Sequence, residues 1–318
     1  MVADETNLVT WRCDVDYTIT EEQVKNVTSR EQHSSWYAYS LVFRCLAIFF
    51  GVFVLTATFY TRSVAWTLIT PLLLGVAGYR IQFILHDTSH YSLFKAKRSN
   101  TFIGTVAGWL VGVNYRRYRF THMWHHRRNG EPEDPQYADY LGDGGMSRQE
   151  FLRFLISPVI GGRLLPYLSR EMGEREVSGH SAPKSGIKWW IGFVVVQASL
   201  FILSYQIANH PEFLFFYYVG LATMSLFLAR IRTIAEHQQI PSVSNDFSRS
   251  HKWNLIDWIF FYDSNFNYHV EHHLYPNLQS KYLKNVSRML QQSGKMSPEG
   301  TSSSVSKTLR SLYRSLPK

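Results

Sequence analysis

Cysteine is almost missing from this chain: its 318 residues include only Cys13, in a polar stretch, and Cys45, in an apolar run. Two cysteines so placed supply neither a disulfide framework nor a thiolate-held zinc or iron–sulfur site, and a reducing face is expected. Charge is scarce as well. Asp, Glu, Lys and Arg together reach 18%, against about a quarter in an ordinary soluble domain. No GxGxxG turn occurs, so a bound dinucleotide is not expected. The first thirty residues, Met1 to Arg30, lack an apolar h-region, so a cleavable signal peptide is not expected either.

What the chain has in excess is apolar. Hydrophobic residues make up 45% and aromatics 15%, with 9 Trp, 19 Tyr and 21 Phe. The mean hydropathy lies only slightly below zero, as apolar spans alternating with a large polar part would give. Leu41 to Tyr60 and Val64 to Leu85 each supply about twenty mostly apolar residues, enough for a helix to cross hydrocarbon. Only Thr61, Arg62 and Ser63 separate them, which predicts an antiparallel hairpin. Gly186 to Ala208 and Glu212 to Leu228, joined across Asn209, His210 and Pro211, predict another. Phe102 to Val113 is too short to span and Phe151 to Leu168 is interrupted by Arg153 and Arg163, so both read as interfacial or re-entrant. Arg44 and Arg80, near the span ends, are expected to snorkel to the headgroups. Trp189, Trp190, Tyr217 and Tyr218 read as interfacial belt residues.

The net charge of +9 raises the possibility of nucleic acid, but the basic residues flank the spans. The stretch from His86 to Ser185 carries fourteen Lys or Arg, whereas the two opposite turns carry only Arg62. By the positive-inside rule both termini and the central loop are cytoplasmic, in a bacterial cytoplasmic membrane or an ER membrane, and nucleic acid is not a partner. Sequons at Asn26 and Asn285 fall on that side and are discounted. The organisation expected is a cytosolic segment (1–40), a transmembrane hairpin (41–85), a cytosolic and interfacial region (86–185), a second hairpin (186–230), a second cytosolic region (231–292) and a flexible basic tail (293–318). The tail includes a Ser/Gly-rich linker, Ser293 to Ser306.

Nine of the thirteen histidines fall in four places on the cytoplasmic side: His86 and His90 in HDTSH, His122, His125 and His126 in HMWHH, His237 in AEH, and His269, His272 and His273 in HVEHH. On a helix, residues i, i+3 and i+4 share a face, so HxxHH aims three imidazoles at one point and HxxxH aims two. Nine nitrogen ligands exceed one tetrahedral zinc but suit two adjacent ions with four or five ligands each. Imidazole-rich sites with open positions suit redox-active iron. Asp87, Glu236 and Glu271 sit beside ligands and can fix ring tautomers as hydrogen-bond acceptors, and Asp134 in EPEDP is a weaker candidate. His33, His180, His210 and His251 read as structural or solvated. Trp124, between ligands, either lines a substrate channel or packs the metal domain. The fold class expected is all-α and integral to the membrane, with four transmembrane helices in two hairpins.

HDTSH, HMWHH and HVEHH, in that order after the expected spans, resemble the three histidine boxes of the membrane fatty-acid desaturase and hydroxylase superfamily. NYHVEHHLYP, opened by Asn267, is the most specific stretch, and IRTIAEH resembles the segment carrying that family's additional ligand. The resemblance runs from about Leu41 to Leu290. It implies a cytosolic helical di-iron cap on the four spans, two iron ions, O2 as co-substrate and oxidation of unactivated C–H bonds, with Asn267 among the supporting residues. The third box begins with His269 rather than Gln, and no HPGG haem motif occurs, so a front-end desaturase with fused cytochrome b5 is not expected. Two external electrons are then needed from a separate donor: a ferredoxin, a rubredoxin, or cytochrome b5 with its reductase. The basic run Arg116, Arg117, Arg119, Arg127 and Arg128 could dock such an acidic carrier.

Desaturation of a fatty acyl lipid is the favoured outcome. Hydroxylation or ketolation of an acyl, alkane or carotenoid chain is the alternative, because that branch depends on sub-ångström positioning. A membrane zinc hydrolase would need Glu where HDTSH has Asp87. A metal transporter would place ligands near the bilayer midplane, not beyond the span ends.

Overall fold

Ser34 and Ser63 each hold an extended backbone and accept a hydrogen bond from the amide three residues on, which starts α1 (Ser35–Phe59) and α2 (Val64–Ser89). These coordinates are a computed structural model that describes residues 34–139, 146–172, 176–177, 179–238, 248–293, 301–302 and 304–318. Cys13, His33 and Asn26 therefore lie outside the described residues. Next come α3 (Lys97–Val111), α4 (Tyr115–Arg128), α5 (Arg148–Ile156), α6 (Leu164–Met172) and α7 (Ile187–Ala208). Asn209 ends α7 in the left-handed region at φ 55°, a conformation asparagine tolerates. Then α8 (Phe213–Gly220) runs through a π-turn, Leu221–Ser225, into α9 (Leu226–His237). Short helices α10 (Leu255–Phe260), α11 (His269–Leu274), α12 (Leu283–Gln292) and α13 (Val305–Ser315) complete the described chain.

The protein is mostly helical, and among the described residues four helices are long and apolar enough to cross a membrane: Ser35–Phe59, Val64–Ser89, Ile187–Ala208 and Phe213–His237. Helix α2 is the hub, packed against α1, α3, α4 and α8. Gly75 and Gly220 let α2 and α8 touch backbone to backbone: a Cβ on Gly220 would lie 2.4 Å from the Pro71 carbonyl oxygen. Around them Phe49, Phe53, Phe213 and Tyr217 form an aromatic core, with Phe53 and Phe213 centroids 5.3 Å apart.

Three expectations are corrected. Arg80 does not snorkel: it is buried and donates to Asp263 Oδ2 at 2.6 Å, while half-exposed Arg44 donates to Oδ1 of the same carboxylate at 2.6 Å. An arginine placed inside the protein is tolerable only when paired in this way. Tyr217 is a core residue, not a belt residue, because its hydroxyl donates to the Leu110 carbonyl at the end of α3. The tail is not wholly a flexible extension. Val305, Thr308 and Leu312 repeat at helical spacing and bury one face of α13. Helix α13 packs on α9, and Arg148 clasps it by donating to the Tyr313 and Leu316 carbonyls, each at 3.1 Å. A parallel pair, Ser250–His251 with Thr301–Ser302, ties the start of this segment to the strand before α10.

Candidate metal centre

All four histidine clusters are carried on helix ends. His86 occupies the last turn of α2 and His90 is its C-cap. Asn114 caps α4 by accepting from the Arg116 and Arg117 amides, and the helix then turns His122, His125 and His126 inward. His237 closes α9, and the six residues of α11 carry His269, His272 and His273. All nine side chains are buried.

The nine imidazoles meet in two adjoining groups. His86, His90, His122, His126 and His272 bring ligand nitrogens within 4.8 Å of one another, as do His125, His237 and His273, with His269 and Glu236 gathered at His237. The Nε2 atoms of His237 and His269 are 2.8 Å apart, those of His269 and His273 3.1 Å, and those of His126 and His272 3.2 Å. Nitrogens bonded to one ion at about 2.0–2.1 Å lie about 3 Å apart, so these spacings fit shared coordination. The rings of His126 and His273 stack at 4.1 Å and join the two groups. Ring nitrogens of His86, His90, His122, His125, His126 and His269 are buried without a hydrogen-bond partner. Such orphaned atoms are costly in a protein interior unless something else, such as a metal ion, binds them. Burial, reinforced by neighbouring imidazoles, pushes His122, His126, His269, His272 and His273 well below the usual histidine range. The neutral ring is the form that ligates metal.

The carboxylates divide. Asp134 is buried and meets His125 Nδ1 at 2.9 and 3.0 Å, so among the described residues the weaker candidate makes the closest carboxylate contact to any of the nine rings. Asp87 approaches His86 Nδ1 at 3.4 Å and accepts from Ser280 at 3.0 Å; Ser280 in turn meets the Tyr37 hydroxyl at 2.5 Å. Glu236 accepts from Arg232 at 2.8 Å and faces His269 Nδ1 at 3.6 Å. Glu271 and Asn267 contact no ring of the nine. Glu271 accepts from Ser250 at 2.5 Å, because its position on α11 points away from the cluster, and Asn267 donates to the His251 carbonyl at 2.7 Å. Ser280 and Tyr37 carry no motif, and Arg232 lies within IRTIAEH without standing out there; packing reveals all three. Of the remaining histidines, His251 is buried between the Tyr262 and Thr308 hydroxyls at 2.8 and 3.2 Å, and exposed His210 pairs with Glu212. Trp124 faces outward, into a hollow it shares with Arg119, Arg127 and His180.

Against known proteins, residues 62–300 match the family described as "Fatty acid desaturase". The chain belongs to this family. Its relatives include the dihydrorhizobitoxine desaturase of Bradyrhizobium elkanii, 26% identical over 70% of this chain and 67% of that one. The fatty acid desaturase of Bacillus subtilis (strain 168) is 23% identical over 74% and 71%. The Delta 8-(E)-sphingolipid desaturase of Kluyveromyces lactis is 21% identical over 73% of this chain, which spans about half (47%) of that longer protein. Desaturase membership and four candidate spans make this a membrane oxidoreductase with a histidine cluster capable of holding metal.

In this chain a cavity of about 500 Å³ runs to the cluster, and His86, His122, His125, His237 and His269 are among its lining. Its walls include Tyr79, Leu85, Val111, Phe193, Leu221 and Ala229, apolar groups that suit a hydrocarbon chain. The π-turn Leu221–Ser225 lies in this wall. Its extra residue per turn resets the helical phase between α8 and His237, a common use of π-turns beside sites.

Proposed function

We propose that this chain is an O2-dependent, di-iron fatty-acid desaturase that introduces a double bond into an acyl chain lying in the apolar cavity. One observation carries the reading: five and four buried imidazoles adjoin one another at the inner end of an apolar cavity. In this reading His86, His90, His122, His126 and His272 hold one iron and His125, His237, His269 and His273 the other. Bound there, redox-active iron supplies the O2 activation that removal of hydrogen from an unactivated chain requires.

The protein's own residues do the rest. The aliphatic and aromatic walls hold the chain against the cluster and exclude water. Asp134 fixes the tautomer of His125, Asp87 steadies His86, and the Arg232–Glu236 pair backs His269. Electrons come from a separate ferredoxin, rubredoxin or cytochrome b5 with its reductase, and the arginines of α4 favour an acidic donor. The topology belonging to this reading has two transmembrane hairpins (41–85 and 186–230), cytosolic regions at 1–40, 86–185 and 231–292, and both termini cytoplasmic. It is supported by the cluster lying at the ends of α2 and α9 and by the positive charge of the loops. A closed zinc site explains neither nine imidazoles nor the cavity.

The test is product analysis. Purified protein reconstituted with iron, O2 and a donor should bind two irons per chain and form an unsaturated acyl product by lipid mass spectrometry. His272→Ala should lower iron content and abolish the product. Zinc without iron, or no O2-dependent lipid product from the iron-loaded protein, overturns the reading.

A further inference from the structure

We propose that the substrate chain enters sideways from the bilayer, through a gap between α6, α7 and α8, so that it belongs to a membrane-resident lipid and not to a water-soluble thioester. This rests on reading the cavity as the substrate site. The cavity's lining reaches the outer surface through apolar groups: Phe215 is 64% exposed, Tyr218 41% and Leu168 39%. Phe193 of α7, half-buried, completes the rim.

The surface around that rim is apolar as well. Ile160 is 81% exposed, Leu165 77% and Val194 59%. Large apolar side chains this exposed are unfavourable in water, and on a protein with candidate spans hydrocarbon is the medium that covers them. A lipid chain already in that medium meets the opening without first leaving an aqueous carrier.

Polar groups near the start of α6 receive the chain's linkage. Arg163 and Asp139 line the cavity, pair with one another, and are mostly buried. A guanidinium that donates beside a carboxylate that accepts suits an uncharged ester or amide. The arginine-rich hollow outside α4, where an anionic soluble carrier would sit, shares no lining residue with this cavity.

Photolabelling tests entry separately from chemistry. Chelator-treated, iron-free protein is reconstituted in vesicles containing a phosphatidylcholine with a diazirine at mid-chain, irradiated, and mapped by peptide mass spectrometry. In a parallel arm, the same diazirine chain is supplied from water as its coenzyme A thioester. Lateral entry predicts lipid labels on the buried lining residues Tyr79 or Leu85, at least five-fold above the thioester arm. Leu168→Trp, which narrows the rim from a partly exposed position, should reduce them several-fold while iron uptake on reloading stays at the wild-type level. Lipid labels confined to the exposed rim and the outer surfaces of α7 and α8, or stronger inner labelling by the thioester that ignores Leu168→Trp, overturn the proposal. Labels as expected with no oxidised product uphold lateral entry and remove the functional reading instead.

Discussion

A buried imidazole serves a metal best when a partner fixes its proton, and Asp134 does this for His125 through contacts at 2.9 and 3.0 Å. Asp134→Asn keeps the size but can donate to the ring as well as accept from it, so it releases the tautomer. Metal affinity should fall about 10–100-fold, as is usual when such a partner is lost, and chelator competition will measure it. The boxes were legible in the sequence because the periodicity that aims HxxHH at one point is local. The supporting residues were legible by nearness in sequence, which served for Asp87 and Glu236 but misled for Glu271. Glu271, next to His272, serves Ser250, whereas Asp134, nine residues from His125, serves the ring. Asp263, which unites Arg44 and Arg80 from two helices, and Ser280, which reaches Asp87 across 193 residues, depend on long-range packing that no local pattern records.

At the level of elements, the spans were legible from their apolar length, but their ends were not. Helix α2 continues past Leu85 to Ser89, and the last span continues to His237, because the ligand-bearing turns are extensions of the membrane helices themselves. The π-turn was invisible, since Leu221–Ser225 has ordinary helix-compatible composition. The contact of α2 with α8 through Gly75 and Gly220 fixes the phase from which His86 and His237 set out. Gly220→Ala would place a Cβ 2.8 Å from the Gly75 nitrogen as well as against Pro71, and both obstacles are backbone. The helices must separate, at about 1–3 kcal/mol. A lowered midpoint of thermal unfolding in detergent will show it, with Gly51→Ala, which meets nothing within 4 Å, unchanged or slightly raised.

Across the whole molecule, the terminal segment closes the fold. Composition hid this: the Ser/Gly-rich run before α13 drew attention from the amphipathic helix behind it. His251 joins the two parts, and burial lowers its pKa to about 3. A histidine that is neutral when folded and near 6.5 when unfolded contributes stability that is full above pH 6.5 and is lost as pH falls toward 3. The slope approaches about 1.4 kcal/mol per pH unit for this one group. His251→Gln should therefore flatten the acid limb of stability in that window relative to wild type, read from unfolding midpoints at successive pH values. The division of ligands between early and late chain also has a temporal consequence. During synthesis, His86 to His126 emerge first, yet each group needs rings from His237 onward, after the last two spans are in place. On the proposed reading, metal loading is thus a closing event of biogenesis: a ribosome halted before His269 leaves a nascent chain inserted in the bilayer with neither metal pocket finished.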